Sequence, residues 1–272
     1  MTSSIEVTEV AARAGVALVP IGATEQHGAH LPVTTDTAIA AAFAAEAGAR
    51  VTGEVATWVL PALPFGFSPE HAGRAGTIGL SAETLLALVD DIGRGVAASG
   101  IRRLLFVNGH GGNPELLHVA CRQLRERRGL AAFAVHVPGL ALPPELAEGV
   151  TTGDLDAHAG HYETSLLLAL DPGAVDMDAA RADGLERVRA RAASPTRPFG
   201  AVSVPWHVDD RSASGVIGDP STADAAWGGR GGGRPAERAF ATQAAALADI
   251  VRAVAAHPLP PEWVHSRRGD AE

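Results

Sequence analysis

Carboxylates and imidazoles crowd three short stretches of this 272-residue chain. The first, GATEQHGAHLP, carries Glu25, His27 and His30, with Asp36 shortly after it. The second, VNGHGGNP, carries Asn108 and His110, and the third, DAHAGHYETS, carries His158, His161 and Glu163. Glu25 and His27 stand two apart, so an extended backbone aims both side chains the same way. His71, in the glycine-rich SPEHAGRAGT, is placed to line a pocket, whereas His118 and His136 fit a helix surface and a strand end. Donor sets of carboxylate and imidazole without thiolate suit zinc, manganese or iron, and a shared carboxylate lets such a set hold two ions. The chemistry on offer is hydrolysis, because a bound metal lowers the pKa of water to roughly 7 and polarises the carbonyl under attack.

Rival chemistries lack their residues. There is no G-x-S-x-G elbow, no G-x-G-x-x-G after a strand and no H-E-x-x-H. All 22 basic residues are arginine, and the absence of lysine removes Schiff-base chemistry, pyridoxal phosphate and the P-loop. A single Cys121 excludes an internal disulfide and a cysteine-based zinc knuckle, and reads as a small buried hydrophobe. The net charge of −9, with no basic block beyond a short cluster from Arg125 to Arg128, argues against nucleic acid. No apolar stretch approaches the ~20 residues of a membrane span or opens the chain like a signal peptide. The expectation is a soluble, cytoplasmic protein with no membrane partner.

The elements that must position these residues alternate between two periods. Strand-like runs occupy Val16 to Ile21, Val55 to Leu60, Arg103 to Val107 and Ala131 to Val137. Helical patterns occupy about Asp36 to Ala49, Ala82 to Ala98, Pro114 to Arg127, Glu163 to Leu170 and Pro235 to Ala255. Alternation of this kind predicts an α/β fold with a mostly parallel sheet, and the continuously apolar strands predict helices on both of its faces. Ligands of such sheets bind beyond the carboxyl ends of the strands, which is where Glu25, His27 and His110 fall. Asp36 at a helix start also reads as a capping residue, and Asn113 before Pro114 as an N-cap. No linker divides the chain, so one domain spanning residues 1–272 is expected, with the Gly/Arg-rich WGGRGGGRP around 227–234 as a loop and a candidate lid.

GATEQHGAHLPVTTD, VNGHGGN, HAGHYETS and GVIGDPSTA, in this order between about Val16 and Ala223, together resemble the creatininase family of amidohydrolases. The resemblance implies a three-layer α/β/α sandwich, a binuclear centre of divalent ions (Zn, Fe or Mn) at the carboxyl edge of the sheet, and homo-oligomers built from dimers. By motif position Glu25, Asp36 and His110 hold one ion, while His27 and the bridging Asp36 hold the second. Creatinine-cleaving members have a glutamate where this chain has Gly112, and Glu163 is the replacement the motifs offer. His158 matches the histidine the family uses to pass protons, a task suited to an imidazole poised near neutral pH. His30, His71, Asn108 and His161 are further candidates for contacts to substrate or to the ligands.

Within that family, PALPFGFSPEHAG, RRLLFVNGHGGN and DAHAGHYETSLLLAL are most similar to a peptidase that releases the modified C-terminal Val-Tyr unit of a small precursor peptide. A peptide tail calls for an open groove, and a lactam such as creatinine for a small site walled by aromatics. None of the four tryptophans is near the first two motifs in sequence, which favours the groove. Hydrolysis of creatinine, another small cyclic amide or a formamide is the alternative activity. A metal-stabilised scaffold subunit is the non-enzymatic alternative.

Overall fold

The computed structural model describes residues 2–142, 155–191, 194, 202, 204–223 and 235–260. Four strands, β1 (Val16–Ile21), β2 (Thr57–Val59), β3 (Arg103–Asn108) and β4 (Ala131–His136), pair in parallel in the order β2-β1-β3-β4. The helices are α1 (Ser4–Ala12), α2 (Thr35–Arg50), α3 (Ala82–Ala98), α4 (Pro114–Arg128), α5 (His161–Leu170), α6 (Leu185–Arg191) and α7 (Pro235–Ala256).

Successive strand residues point to opposite faces, and both faces are apolar. Val16, Leu18, Leu105 and Val107 pack on one side with Phe43 of α2, Leu166 of α5 and Leu247 of α7. Ala17, Val19, Leu104 and Phe106 pack on the other with Val10 of α1, Val89 of α3 and Leu117 of α4. This is the three-layer α/β/α sandwich, and β1 is buried along its whole length because it is covered twice.

Most element boundaries fall where periodicity puts them, and the differences have local causes. β2 is shorter than its apolar run, reduced to three residues because it pairs only with β1. The unanticipated α1 starts at a capping box in which Ser3 Oγ accepts from Glu6 N while Ser3 N donates to the Glu6 carboxylate. Asp36 caps nothing, since Thr34 holds the N-cap position of α2. Asn113 occupies its expected place before α4 without capping it. Its amide donates to the Gly22 carbonyl and to Asn108 Oδ1 and accepts from Phe67 N, which ties together the ends of β1 and β3 and the loop at 67.

A helical stretch of 21 residues, Ala236–Ala256 in α7, has the length and apolarity of a membrane span, contrary to the expectation that no stretch approaches one. Ala239, Ala244, Leu247, Ala248 and Val251 lie in the core against α2 and α5, so packing accounts for its composition. The stretch 227–234 lies outside the described residues.

Candidate metal centre

The order β2-β1-β3-β4 makes the chain leave β1 toward one edge and return to β3 on its other side, so β1 and β3 flank the point where the winding reverses. Connections there diverge and leave a crevice at the carboxyl ends of the two strands. Gly22 and Gly109 follow those ends directly. A Cβ on Gly22 would lie 2.4 Å from Thr37 N, and one on Gly109 would lie 2.3 Å from the Asp36 carbonyl oxygen. The bare backbones let the first turn of α2 settle between the strands and bring its second residue, Asp36, into the crevice.

Five side chains converge there. Asp36 Oδ1 is 3.1 Å from His27 Nε2, and Asp36 Oδ2 is 3.1 Å from His110 Nδ1. Glu25 Oε1 stands 3.3 Å from His110 Nδ1, and Glu163 Oε2 stands 3.7 Å from His27 Nε2. Each ring is held from behind: His27 Nδ1 donates to the Glu25 carbonyl and His110 Nε2 to the Phe67 carbonyl. That leaves His27 Nε2 and His110 Nδ1 to face the carboxylates, the arrangement by which outer partners aim ligating imidazoles. Glu25 Oε2 is buried without a hydrogen-bond donor, as a ligand oxygen would be. His27, Asp36 and Glu163 offer atoms within 4.8 Å of one another, as do Glu25, Glu70 and His110, so the donor sets fit divalent ions.

Electrostatics follow the same division. Burial pulls the two facing imidazoles down, but Asp36 beside them prevails and His27 is raised to about 10. His110 is likewise raised, by Glu25 and Asp36. Burial raises the Glu163 carboxyl to about 7. The remaining imidazoles go the other way: burial lowers His71 and His30 to about 4, and burial with His27 and His71 nearby holds His158 well below its ordinary value. His158 is sandwiched between those two rings, at centroid distances of 4.3 and 4.2 Å. It reaches Glu25 Oε1 at 3.6 Å, closer to the carboxylates than its place in the sequence suggests.

The weaker candidates divide. His71 joins the cluster, 3.5 Å from Glu25 Oε1. His30 lies beside it, bonded to Thr164 Oγ1 on the helix that carries Glu163. Asn108 builds the turn, donating to the His110 carbonyl and accepting from His110 N. His161 is directed away, onto Thr222 Oγ1, and does not join the cluster: it stands two positions before Glu163 in the first turn of α5, a spacing that does not share a helix face. Three residues enter unforeseen. Gln26 contacts both His71 and His158. Glu70 comes within 3.6 Å of His110 Nε2 and occupies space beside Gly112, where a Cβ would sit 2.7 Å from its Oε1. Trp206 stands edge-on to His71, so an aromatic does wall the site despite its distance in sequence. Only Glu70 carried a sequence signal, as the carboxylate next to His71.

The cluster floors a cavity of about 650 Å³ whose outer wall includes Phe67, Pro69, Val204, Pro205 and Trp206. Arg74 bonds to the Asp209 carboxylate and to the carbonyls of Ser212 and Ala213, tying the loop that carries His71 to the segment that carries Asp210, both of which line the cavity.

Known proteins resemble this chain in sequence and in fold. The mycofactocin precursor peptide peptidase of Mycobacterium ulcerans (strain Agy99) is 41% identical over 218 residues, 78% of each chain. The creatinine amidohydrolase of Pseudomonas putida is 35% identical over 186 residues, 62% of this chain and 69% of that protein. The solved manganese form of creatininase superposes with a TM-score of 0.74 at 26% identity, covering 94% of this chain and 97% of that one. The family model described as creatinine amidohydrolase matches residues 1–250. By motif, fold and extent of match, the chain belongs to the creatininase family.

Proposed function

We propose that this protein is a hydrolase of amide bonds that works with two divalent ions, zinc, iron or manganese, and acts on a peptide. The observation that carries the reading is Asp36, whose two oxygens each face a different imidazole at 3.1 Å. Glu25, Asp36 and His110 would hold one ion, and His27, Asp36 and Glu163 the other. When bound, such ions supply Lewis-acid polarisation of the scissile carbonyl and acidify water. His158 would manage protons: its depressed basicity makes it neutral at rest and a strong acid once protonated, suited to delivering a proton to the departing amine nitrogen. Water adds to the carbonyl carbon, the C–N bond breaks, and the products are a carboxylate and an amine.

The cavity favours the larger of the two substrate classes. A volume of about 650 Å³ is in the range that binds ligands of a few hundred daltons, whereas a cyclic amide the size of creatinine would leave most of it filled with water. Together with the peptidase-named relative, this supports cleavage of the modified C-terminal dipeptide unit from the mycofactocin precursor peptide. The test is to incubate the metal-loaded protein with that modified peptide and, separately, with creatinine, and to follow both by mass spectrometry. Peptide cleavage abolished by chelation and restored by metal is expected. Creatinine turnover without peptide cleavage would overturn the substrate assignment, and no turnover of either would favour the scaffold.

A further inference from the structure

Gln26 stands between Glu25 and His27 and is buried. Two main-chain partners fix the direction of its amide: Oε1 accepts from Gly28 N at 3.1 Å, and Nε2 donates to the Gly215 carbonyl at 3.1 Å. For the second Nε2 hydrogen two imidazole nitrogens stand at 3.0 Å, His71 Nδ1 and His158 Nε2. The main chain decides between them, because His158 Nε2 lies 2.7 Å from the Gln26 carbonyl oxygen. Lone pairs on both atoms would repel at that separation, so His158 Nε2 carries a hydrogen and donates it there. It then has nothing to accept with, and the amide hydrogen goes to His71 Nδ1. In a neutral imidazole only one nitrogen is protonated, so the far side of each ring is determined. His158 Nδ1 keeps its lone pair, 3.6 Å from Glu25 Oε1, and His71 Nε2 aims its hydrogen at that same oxygen from 3.5 Å.

We propose that Gln26 is a positioning residue that sets the tautomers of both imidazoles. Its carbonyl leaves His158 Nδ1 open toward the site, and its amide turns the His71 N–H onto Glu25. A glutamine is required because the position must donate: a glutamate would accept from His71 Nδ1 and aim a lone pair of that ring at Glu25. The catalytic consequence rests on the hydrolase reading, while the positions of the hydrogens do not.

Long-range proton–nitrogen NMR of the histidine rings in the zinc-loaded protein reads those positions directly. Both His71 and His158 are expected as Nε2–H tautomers. Gln26→Leu is expected to leave His158 unchanged, to remove the single tautomer at His71, and to lower kcat by roughly 10- to 100-fold with KM near its original value, the scale of lost outer partners at metal sites. Gln26→Glu is expected to move the His71 hydrogen to Nδ1. An Nδ1–H tautomer at either ring of the unsubstituted protein overturns the proposal whether or not the variants fold, as does an unaltered His71 in Gln26→Leu. Correct tautomers in a protein that hydrolyses nothing would sink the hydrolase reading and leave this assignment standing.

Discussion

At the scale of single residues, the division of labour among the imidazoles depends on what faces each ring. His27 and His110 meet carboxylates on one nitrogen and a main-chain carbonyl on the other, which suits ligands. His158 meets two neighbouring rings and one carboxylate edge, which suits a group that must be neutral at rest. Replacing His158 with Ala should therefore lower turnover by about 10²- to 10⁴-fold, the range for a lost general acid or base, with both ions retained on metal analysis. Loss of an ion along with activity would instead make His158 a ligand beside Glu25 and His27, whose donor atoms lie within 4.8 Å of its own. The types and spacing of Glu25, His27 and His110 drew attention to the strand ends, whereas Asp36 as a shared ligand and Glu163 as the replacement for Gly112 were legible only through the family resemblance. Gln26 and Trp206 were not legible, because an amide has no characteristic spacing and Trp206 approaches His71 only through folding of a loop-rich segment.

At the scale of elements, the start of α5 is the place where local structure and chemistry are most closely joined. Asp156 Oδ1 and Oδ2 accept from the main-chain nitrogens of His161 and Tyr162, which lie at an end of the helix whose donors have no partners within it. Ala159, between Asp156 and the helix, adopts a left-handed φ of 51° and donates its N–H to Glu163 Oε2. Such a conformation costs an alanine on the order of 1 kcal/mol, and here it holds the carboxylate that faces His27.

Burial raises the Asp156 carboxyl to about 7. The unfolded chain releases that proton near the ordinary pKa of about 3.9, whereas the folded chain keeps it to about 7. The contribution of Asp156 to stability is therefore full below the ordinary value and is lost as pH rises through 7. Urea denaturation across this range should show the original protein losing stability with pH relative to Asp156→Asn, and equal slopes would refute the assignment. Helices and strands were legible from periodicity because both cores obey it. α1 carries its signal in a capping box and not in a period, and α6 is too short to produce one.

At the scale of the molecule, the candidate ligands come from four segments: the loop after β1, the start of α2, the turn after β3 and the start of α5. An ion held among them stabilises the fold by RT ln(1 + [L]/Kd), about 4 kcal/mol at a thousandfold excess over Kd. Chelation should lower the thermal midpoint and metal should restore it, as read by calorimetry; a midpoint indifferent to metal would count against ions joining these segments. The parallel sheet and its two covered faces could be anticipated from the apolar runs, whereas the strand order that opens the crevice could not, since periodicity is blind to which neighbour a strand pairs with. The contact of α2 with Gly22 and Gly109 has one more consequence. It is main chain against main chain, so it acts as a gauge block that no change of side chain on the surrounding surfaces can wear. Relatives can diverge over most of their surface, and a designer can exchange donors one at a time, while the spacing between the two halves of the centre stays put; a methyl group at either glycine would reset it.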